Sequence, residues 1–138
     1  MKRILIIAAI ISPITFLSSS SCKKSTQPDC GCDAPIKTTI SDTSNLIGTI
    51  EYNKYYNSND NFKNKFTIVY VERNCSNCIH TMVICNQDIL PQRVLDLKQT
   101  NQSLQVKFAG DLKQFCEKII APGDYTYEYI ILTKIIVQ

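Results

Sequence analysis

The amino-terminal segment of the chain most constrains what the remainder can fold into. Lys2 and Arg3 precede an apolar run from Ile4 to Phe16, and four serines then lead to Cys22. A charged start, a short apolar middle and a small-residue cleavage region are typical of a secretory signal. This one is too short, and too polar at its end, to be a membrane-spanning helix. We therefore expect the chain to be exported.

The cysteine directly after the small residues makes this segment similar to the signals of bacterial lipoproteins. In that family the thiol is alkylated with diacylglycerol, the preceding peptide is removed, and the new amino terminus is acylated, commonly with palmitate. The resemblance implies that residues 1–21 are removed and that Cys22 becomes the first residue and the only membrane contact. The absence of Asp after Cys22 implies transfer to the outer membrane, on its periplasmic or surface face. The whole chain also resembles small cysteine-containing lipoproteins of Gram-negative bacteria.

What remains is one small domain of about a hundred residues, which can bury roughly 60–65% of its unfolded surface. Loss of Lys2 and Arg3 lowers the formal charge from +3 to +1. A near-neutral domain gives no support to a nucleic-acid partner, because nucleic-acid-binding domains carry a basic patch. The chain has one histidine and scattered acidic residues. We therefore expect a non-enzymatic binding or structural module without a cofactor, whose protein or glycan partner the sequence does not identify.

Residues 22–45 are rich in Ser, Thr, Asp and Lys, with hardly any large apolar side chain. Such a segment cannot offset its ordering entropy by burial, so we expect a flexible, lipid-anchored stalk followed by a folded domain over 46–138. Cys30-Gly31-Cys32 interrupts this stalk. A bond from either thiol to the domain would shorten the free tether to about eight residues.

Beyond the stalk, apolar and polar residues alternate as in half-buried strands. Leu90, Val94 and Leu97 instead fall on one helical face, and Asp88 is a suitable cap for a helix that begins at Ile89. The strands are predicted at 46–52, 66–72, 81–85, 104–108 and 125–137.

This order of elements predicts a mainly β domain. We expect a small antiparallel barrel or curled sheet of about five strands, with one short helix between the third and fourth, as in an OB-like arrangement. Residues 111–120 leave two interpretations open. They form either a helix capped by Asp111 or a continuation of the fourth strand past a bulge at Gly110, and we favour the bulge.

Six cysteines remain in the mature chain after Cys22. An even number of thiols in a small exported domain predicts three disulfides, and fifteen pairings are allowed. Our hypothesis joins Cys85 to Cys116, which would close a loop of about thirty residues and stabilise the fold by roughly 3.5–4 kcal/mol. It pairs the two stalk thiols with Cys75 and Cys78. The six candidates are Cys30, Cys32, Cys75, Cys78, Cys85 and Cys116.

The motif Cys75-Ser76-Asn77-Cys78 resembles the C-x-x-C pair of thioredoxin-like disulfide oxidoreductases. The resemblance implies an alternative, enzymatic function in which Cys75, at a helix amino terminus, attacks the substrate and Cys78 resolves the mixed disulfide. The residues after Cys78 suit a strand better than a helix, so we favour a structural bridge. His80 would add a third ligand for a metal ion, but zinc sites need reduced thiolates, so we expect no metal.

Tyrosine is frequent in and near the first and last predicted strands. Aromatic side chains on an exposed sheet hold sugars or peptides in many proteins. Tyrosine is also a common strand residue, and we favour ordinary packing over a binding surface. The residues concerned are Tyr52, Tyr55, Tyr56, Tyr125, Tyr127 and Tyr129.

Overall fold

The computed structural model describes residues 28–54 and 60–138. The segment 1–21 and Cys22 lie outside the described residues. The helix α1 (Gln92–Leu95) continues directly into a 3₁₀ turn (Asp96–Gln99). The six strands within these described ranges are β1 (Ile36–Ile40), β2 (Leu46–Tyr52), β3 (Phe66–Val71), β4 (Ile79–Ile84), β5 (Ser103–Gln114) and β6 (Tyr125–Val137).

Strands β2 to β6 close into a barrel in the order β2-β3-β4-β6-β5, and β5 pairs with β2 to complete the ring. The predicted mainly β barrel with a short helix between its third and fourth strands is confirmed, and the order is OB-like. An entirely antiparallel barrel is wrong, because β4 and β6 are parallel. A closed ring with an odd number of strands cannot alternate direction throughout, so one neighbouring pair must be parallel.

Strand β1 lies within the segment that was expected to be a flexible stalk. It pairs antiparallel with residues 110–113 of β5, just beyond the part of β5 that pairs with β2. Four of its five residues are exposed. The structure therefore differs from a stalk that extends to residue 45. Backbone pairing with β5 orders this polar segment, although the segment buries little apolar surface.

The described residues form three disulfides. The predicted bond between Cys85 and Cys116 is wrong, and so are the predicted bonds from the stalk thiols to the C-x-x-C pair. The pairing of β1 with the end of β5 places the stalk cysteines beside that end, and Gly31 N–H donates to the Gln114 carbonyl at 2.9 Å. A positive φ of 94° at Gly31 lets the chain turn between its two cysteines. The bonds are Cys30–Cys116, Cys32–Cys85 and Cys75–Cys78.

The helical segment closes one end of the barrel. Leu90, Val94 and Leu97 are buried in the main core, as their spacing predicted. The helix starts later than predicted, at Gln92 after Pro91, and no side chain caps it. Asp88, the predicted cap, lies instead in a preceding 3₁₀ turn (Gln87–Ile89).

The bulge interpretation of residues 111–120 is confirmed as far as Gln114. β5 continues to Gln114, and its register with β6 shifts between Ala109 and Gly110. The remainder of that segment has no regular secondary structure. The chain then turns into β6, where Tyr125 N–H donates to the Pro122 carbonyl at 3.0 Å.

Candidate functional site

A cavity of about 370 Å³ opens at the barrel end where β2, β4 and β6 begin and β3 ends. This is the end away from α1. We call it the mouth cavity. Its floor is apolar and is formed by interior side chains of four barrel strands and by one residue of β1. These residues are Ile40, Leu46, Tyr70, Met82 and Leu112.

The interior rows of β3, β4 and β6 change from apolar to polar as they approach this mouth. Ile130 is buried in the core, and two residues earlier on the same face of β6 lies Glu128, which lines the cavity. On β4, Met82 is similarly followed toward the mouth by His80. A cavity with an apolar floor and a few convergent polar groups is the usual form of a small-molecule site.

His80 links three strands at the rim of the mouth cavity. A carboxylate only accepts hydrogen bonds, so His80 Nε2 carries hydrogen and donates to Glu72 Oε1 at 2.9 Å. The Thr126 hydroxyl and His80 Nδ1 are 2.7 Å apart. The imidazole also lies 5.7 Å, centroid to centroid, from the Tyr70 ring. Both ring nitrogens of His80 are therefore engaged, and the residue fixes the geometry of the rim.

Glu128 is a buried carboxylate with a partner from β1. Its side chain is only 8% exposed, and Lys37 Nζ donates to Glu128 Oε1 at 2.8 Å. An unpaired carboxylate at such a position would be costly, since burial disfavours the charged form. Strand β1 therefore contributes Ile40 to the floor and supplies the countercharge for the acidic group beside it.

The turn between β3 and β4 forms the remaining part of the rim, with Arg73 and Asn74 lining the cavity. The Cys75–Cys78 disulfide spans this turn. Glu72 N–H donates to the Cys78 carbonyl at 3.1 Å, and Cys75 N–H donates to the Glu72 carbonyl at 3.2 Å. Within the residues that the structure describes, neither the Arg73 guanidinium nor the Asn74 amide forms a hydrogen bond or an ion pair.

The C-x-x-C pair does not have the surroundings that the oxidoreductase resemblance implies. Cys78 is followed directly by β4, so Cys75 does not lie at the amino terminus of a helix. The two cysteines bridge a β-hairpin turn. They are also bonded to each other, so they do not join His80 as metal ligands, and no group of three or more His, Cys, Asp or Glu side chains in the described parts of the chain is arranged to hold a metal ion.

The tyrosines of β6 point away from the mouth cavity. Tyr129 is buried in a second apolar cluster on the outside of the barrel and stacks on Phe115 with a centroid distance of 4.9 Å. Burial raises the pKa of Tyr129, and the negative charge of Glu117, which accepts from the phenol at 3.4 Å, raises it further. The side chain of Tyr125, by contrast, is exposed to solvent. Packing therefore explains Tyr129, whereas Tyr55 and Tyr56 lie outside the described residues.

The polar residues that line the mouth were not predicted from the sequence, although a signal for them was present. In β6 the tyrosines at 125, 127 and 129 alternate with Thr126 and Glu128, so hydrophobicity alone places the tyrosines inside. Ile130 and Leu132 are buried in the core and have the same parity as Glu128. Extending their phase back along the strand places Thr126 and Glu128 on the interior face.

The described residues include no helix with the length and apolar character needed to cross a membrane. A scan against protein-family models finds no match to this chain. A search of curated proteins finds no significantly similar sequence.

Proposed function

We propose that this chain is a lipid-anchored protein of the bacterial outer membrane and that its barrel is a non-enzymatic binding module. The mouth cavity is the proposed site, and it receives a small ligand with an apolar body. The observation that carries this proposal is the combination of an apolar floor and a polar rim in one cavity. Three disulfides also suit a domain that works in an oxidising compartment.

The disulfide at Cys30 limits how far the domain lies from its proposed anchor. Cys30 is bonded to Cys116, at the end of the barrel wall. The eight peptide steps between Cys22 and Cys30 span at most about 28 Å, because an extended chain advances by no more than ~3.5 Å per residue. The proposed lipid on Cys22 would therefore hold the barrel close to the bilayer surface.

Replacement of the proposed acylation site tests the anchor. Cys22→Ser is expected to abolish incorporation of a palmitate analogue and to leave residues 1–21 attached, because the serine hydroxyl does not accept the diacylglycerol group that precedes their removal. Metabolic labelling measures the first effect, and the mass of the purified protein measures the second. Cys75→Ser/Cys78→Ser, which removes a pair of cysteines but leaves Cys22, is the matched control. Undiminished labelling of the Cys22→Ser protein would contradict the anchor.

Filling the cavity tests the binding site. 1-Hexanol is a suitable neutral probe because its alkyl chain matches the apolar floor. Leu46→Phe is expected to weaken hexanol binding at least tenfold, about 1.4 kcal/mol, because the larger side chain occupies the same space. Isothermal titration calorimetry measures the affinity, and the melting temperature reports whether the variant is folded.

Ile47→Phe is the matched control for this experiment. It is the same kind of enlargement at the next residue of β2, on the outer face, where Ile47 is 51% exposed. Hexanol affinity should be unchanged in this variant. Equal affinities for the parent, Leu46→Phe and Ile47→Phe, or no binding to the parent, would remove the mouth cavity as the ligand site.

A further inference from the structure

We infer that the ligand class of the mouth cavity is a small aliphatic carboxylate. Its alkyl chain lies on the apolar floor, and its carboxylate binds the Arg73 guanidinium and the Asn74 amide. The inference rests on the proposed binding function and deepens it, because it names the chemistry that the rim recognises.

The charged group of the rim that lacks a protein partner is a donor, although each carboxylate of the rim keeps a second oxygen that can accept. The two carboxylates that line the cavity each accept from a protein donor, Glu128 from Lys37 at 2.8 Å and Glu72 from His80 at 2.9 Å. Among the charged residues that line the cavity, only Arg73 has no partner within the described residues. The guanidinium fork matches the two oxygens of a carboxylate, so it selects a planar anion over a hydroxyl or an amine.

The cavity has a suitable size for a short alkyl chain. Its volume of about 370 Å³ equals that of roughly twelve water molecules, each of which takes ~30 Å³ in the liquid. Hexanoate has eight non-hydrogen atoms and therefore fits with room for ordered water at the rim. The floor residues Leu46, Met82 and Leu112 are well suited to such a chain, because their flexible or branched apolar side chains offer contact without hydrogen-bonding groups.

The Cys75–Cys78 bridge acts as a positioning device for Arg73. The turn that carries Arg73 spans only the residues between β3 and β4, and the bridge restricts its conformations before the ligand arrives. Restricting a binding turn in advance lowers the entropy lost on association. This gives the C-x-x-C pair a role in affinity that does not require disulfide exchange.

The test compares three probes of equal chain length: hexanoate, 1-hexanol and hexylamine. Each is titrated calorimetrically into purified full-length protein in phosphatidylcholine nanodiscs, with empty nanodiscs as the blank. Hexanoate is expected to bind about tenfold more tightly than hexanol. The gain is limited to this size because the Glu72 carboxylate neighbours Arg73 in the chain and repels the ligand. Hexylamine is expected to bind most weakly.

Arg73→Gln is expected to reduce hexanoate affinity to that of hexanol and to leave hexanol affinity unchanged. Arg93→Gln, which removes an exposed arginine of α1, is the control and should change neither affinity.

Cys75→Ser/Cys78→Ser should weaken hexanoate binding severalfold and leave hexanol binding unchanged, since only the rim becomes less ordered. If this double variant and the parent protein bind hexanoate with equal affinity, the positioning role of the bridge is wrong.

The outcomes separate the two proposals. If hexanol binds but hexanoate is not preferred, or if Arg73→Gln leaves hexanoate affinity intact, the carboxylate inference is wrong and the binding site stands. Tighter binding of hexylamine than of hexanoate would likewise overturn the inference. If none of the probes binds the parent protein, both proposals are wrong: the mouth cavity as a binding site and the carboxylate as its ligand class.

Discussion

Removal of the Cys32–Cys85 bridge is expected to lower the free energy of unfolding by about 3.5–4 kcal/mol. The bridge joins residues 53 apart in the sequence, so it strongly restricts the unfolded chain. The Cys30–Cys116 bridge remains and already provides a shorter covalent path of about thirty residues between the same two points. The loss in free energy of unfolding therefore depends on the length of this shorter loop of about thirty residues. It is still a large part of the total stability of a domain this small.

The folded state loses contacts as well when this bridge is removed. Cys32 and Cys85 pack against the outer apolar cluster, which contains Phe62, Phe115 and Tyr129. Replacing both cysteines by alanine leaves no unpaired thiol to exchange with the other bridges. Urea unfolding monitored by far-ultraviolet circular dichroism measures the change, since the chain contains no tryptophan. The expected result is a lower midpoint with the native spectrum retained in the absence of urea.

Removal of the Cys75–Cys78 bridge is the matched control for stability. Its cysteines are three residues apart, so the closed loop is minimal and the expected loss is about 2 kcal/mol or less. Backbone hydrogen bonds of the turn also persist without it. A Cys32→Ala/Cys85→Ala protein that unfolds at the same urea concentration as Cys75→Ser/Cys78→Ser would show that the long-range bridge does not stabilise the fold in this way.

The barrel strands were predictable because each has one face in the core. Ile50 in β2 and Val106 in β5 are fully buried, and their neighbours along the strand are less buried. Alternation of this kind appears directly in the hydrophobicity of the sequence. The helix position, together with the strand count, was then sufficient to predict an OB-like order.

Strand β1 was not predictable by the same reasoning. Its sequence Ile-Lys-Thr-Thr-Ile has almost no buried face, and Ile36 is exposed. Backbone pairing with β5 and the neighbouring disulfides hold β1 in place, and neither of them produces a hydrophobic pattern in the sequence. The error in the disulfide pairing followed from this, because the position of β1 brings Cys30 and Cys32 to their partners.

The mouth cavity was hidden for a related reason. A polar residue in a strand is assigned to the solvent face, yet Glu128 lies on the interior face and is paired with Lys37. That pairing joins residues 91 apart in the sequence and depends on β1 being in place. The phase of β6 was enough to place Glu128 inside, but the contributions of Lys37 and Ile40 to the site could not be predicted before β1 was known.

The bulge at Gly110 provides the second large expected effect. Gly110→Ala is expected to lower the free energy of unfolding by about 3 kcal/mol, at the upper end of the usual cost of overpacking. A Cβ atom there would collide with the backbone carbonyl oxygen of Ile131 and come within 3.0 Å of Leu132 Cα. Backbone atoms of a paired strand cannot rotate away, so β5 and β6 would have to separate at the point where their register shifts.

Gly123→Ala is the control for this substitution. Gly123 lies in the turn before β6, and a Cβ atom there would meet nothing within 4 Å. Its urea midpoint should stay within experimental error of the parent or rise slightly, since alanine restricts the unfolded chain more than glycine does.

Because β5 also contributes Leu112 to the floor of the mouth cavity, Gly110→Ala should weaken hexanol binding too. An unaltered midpoint for Gly110→Ala would mean that the two strands are not packed at this bulge as closely as described.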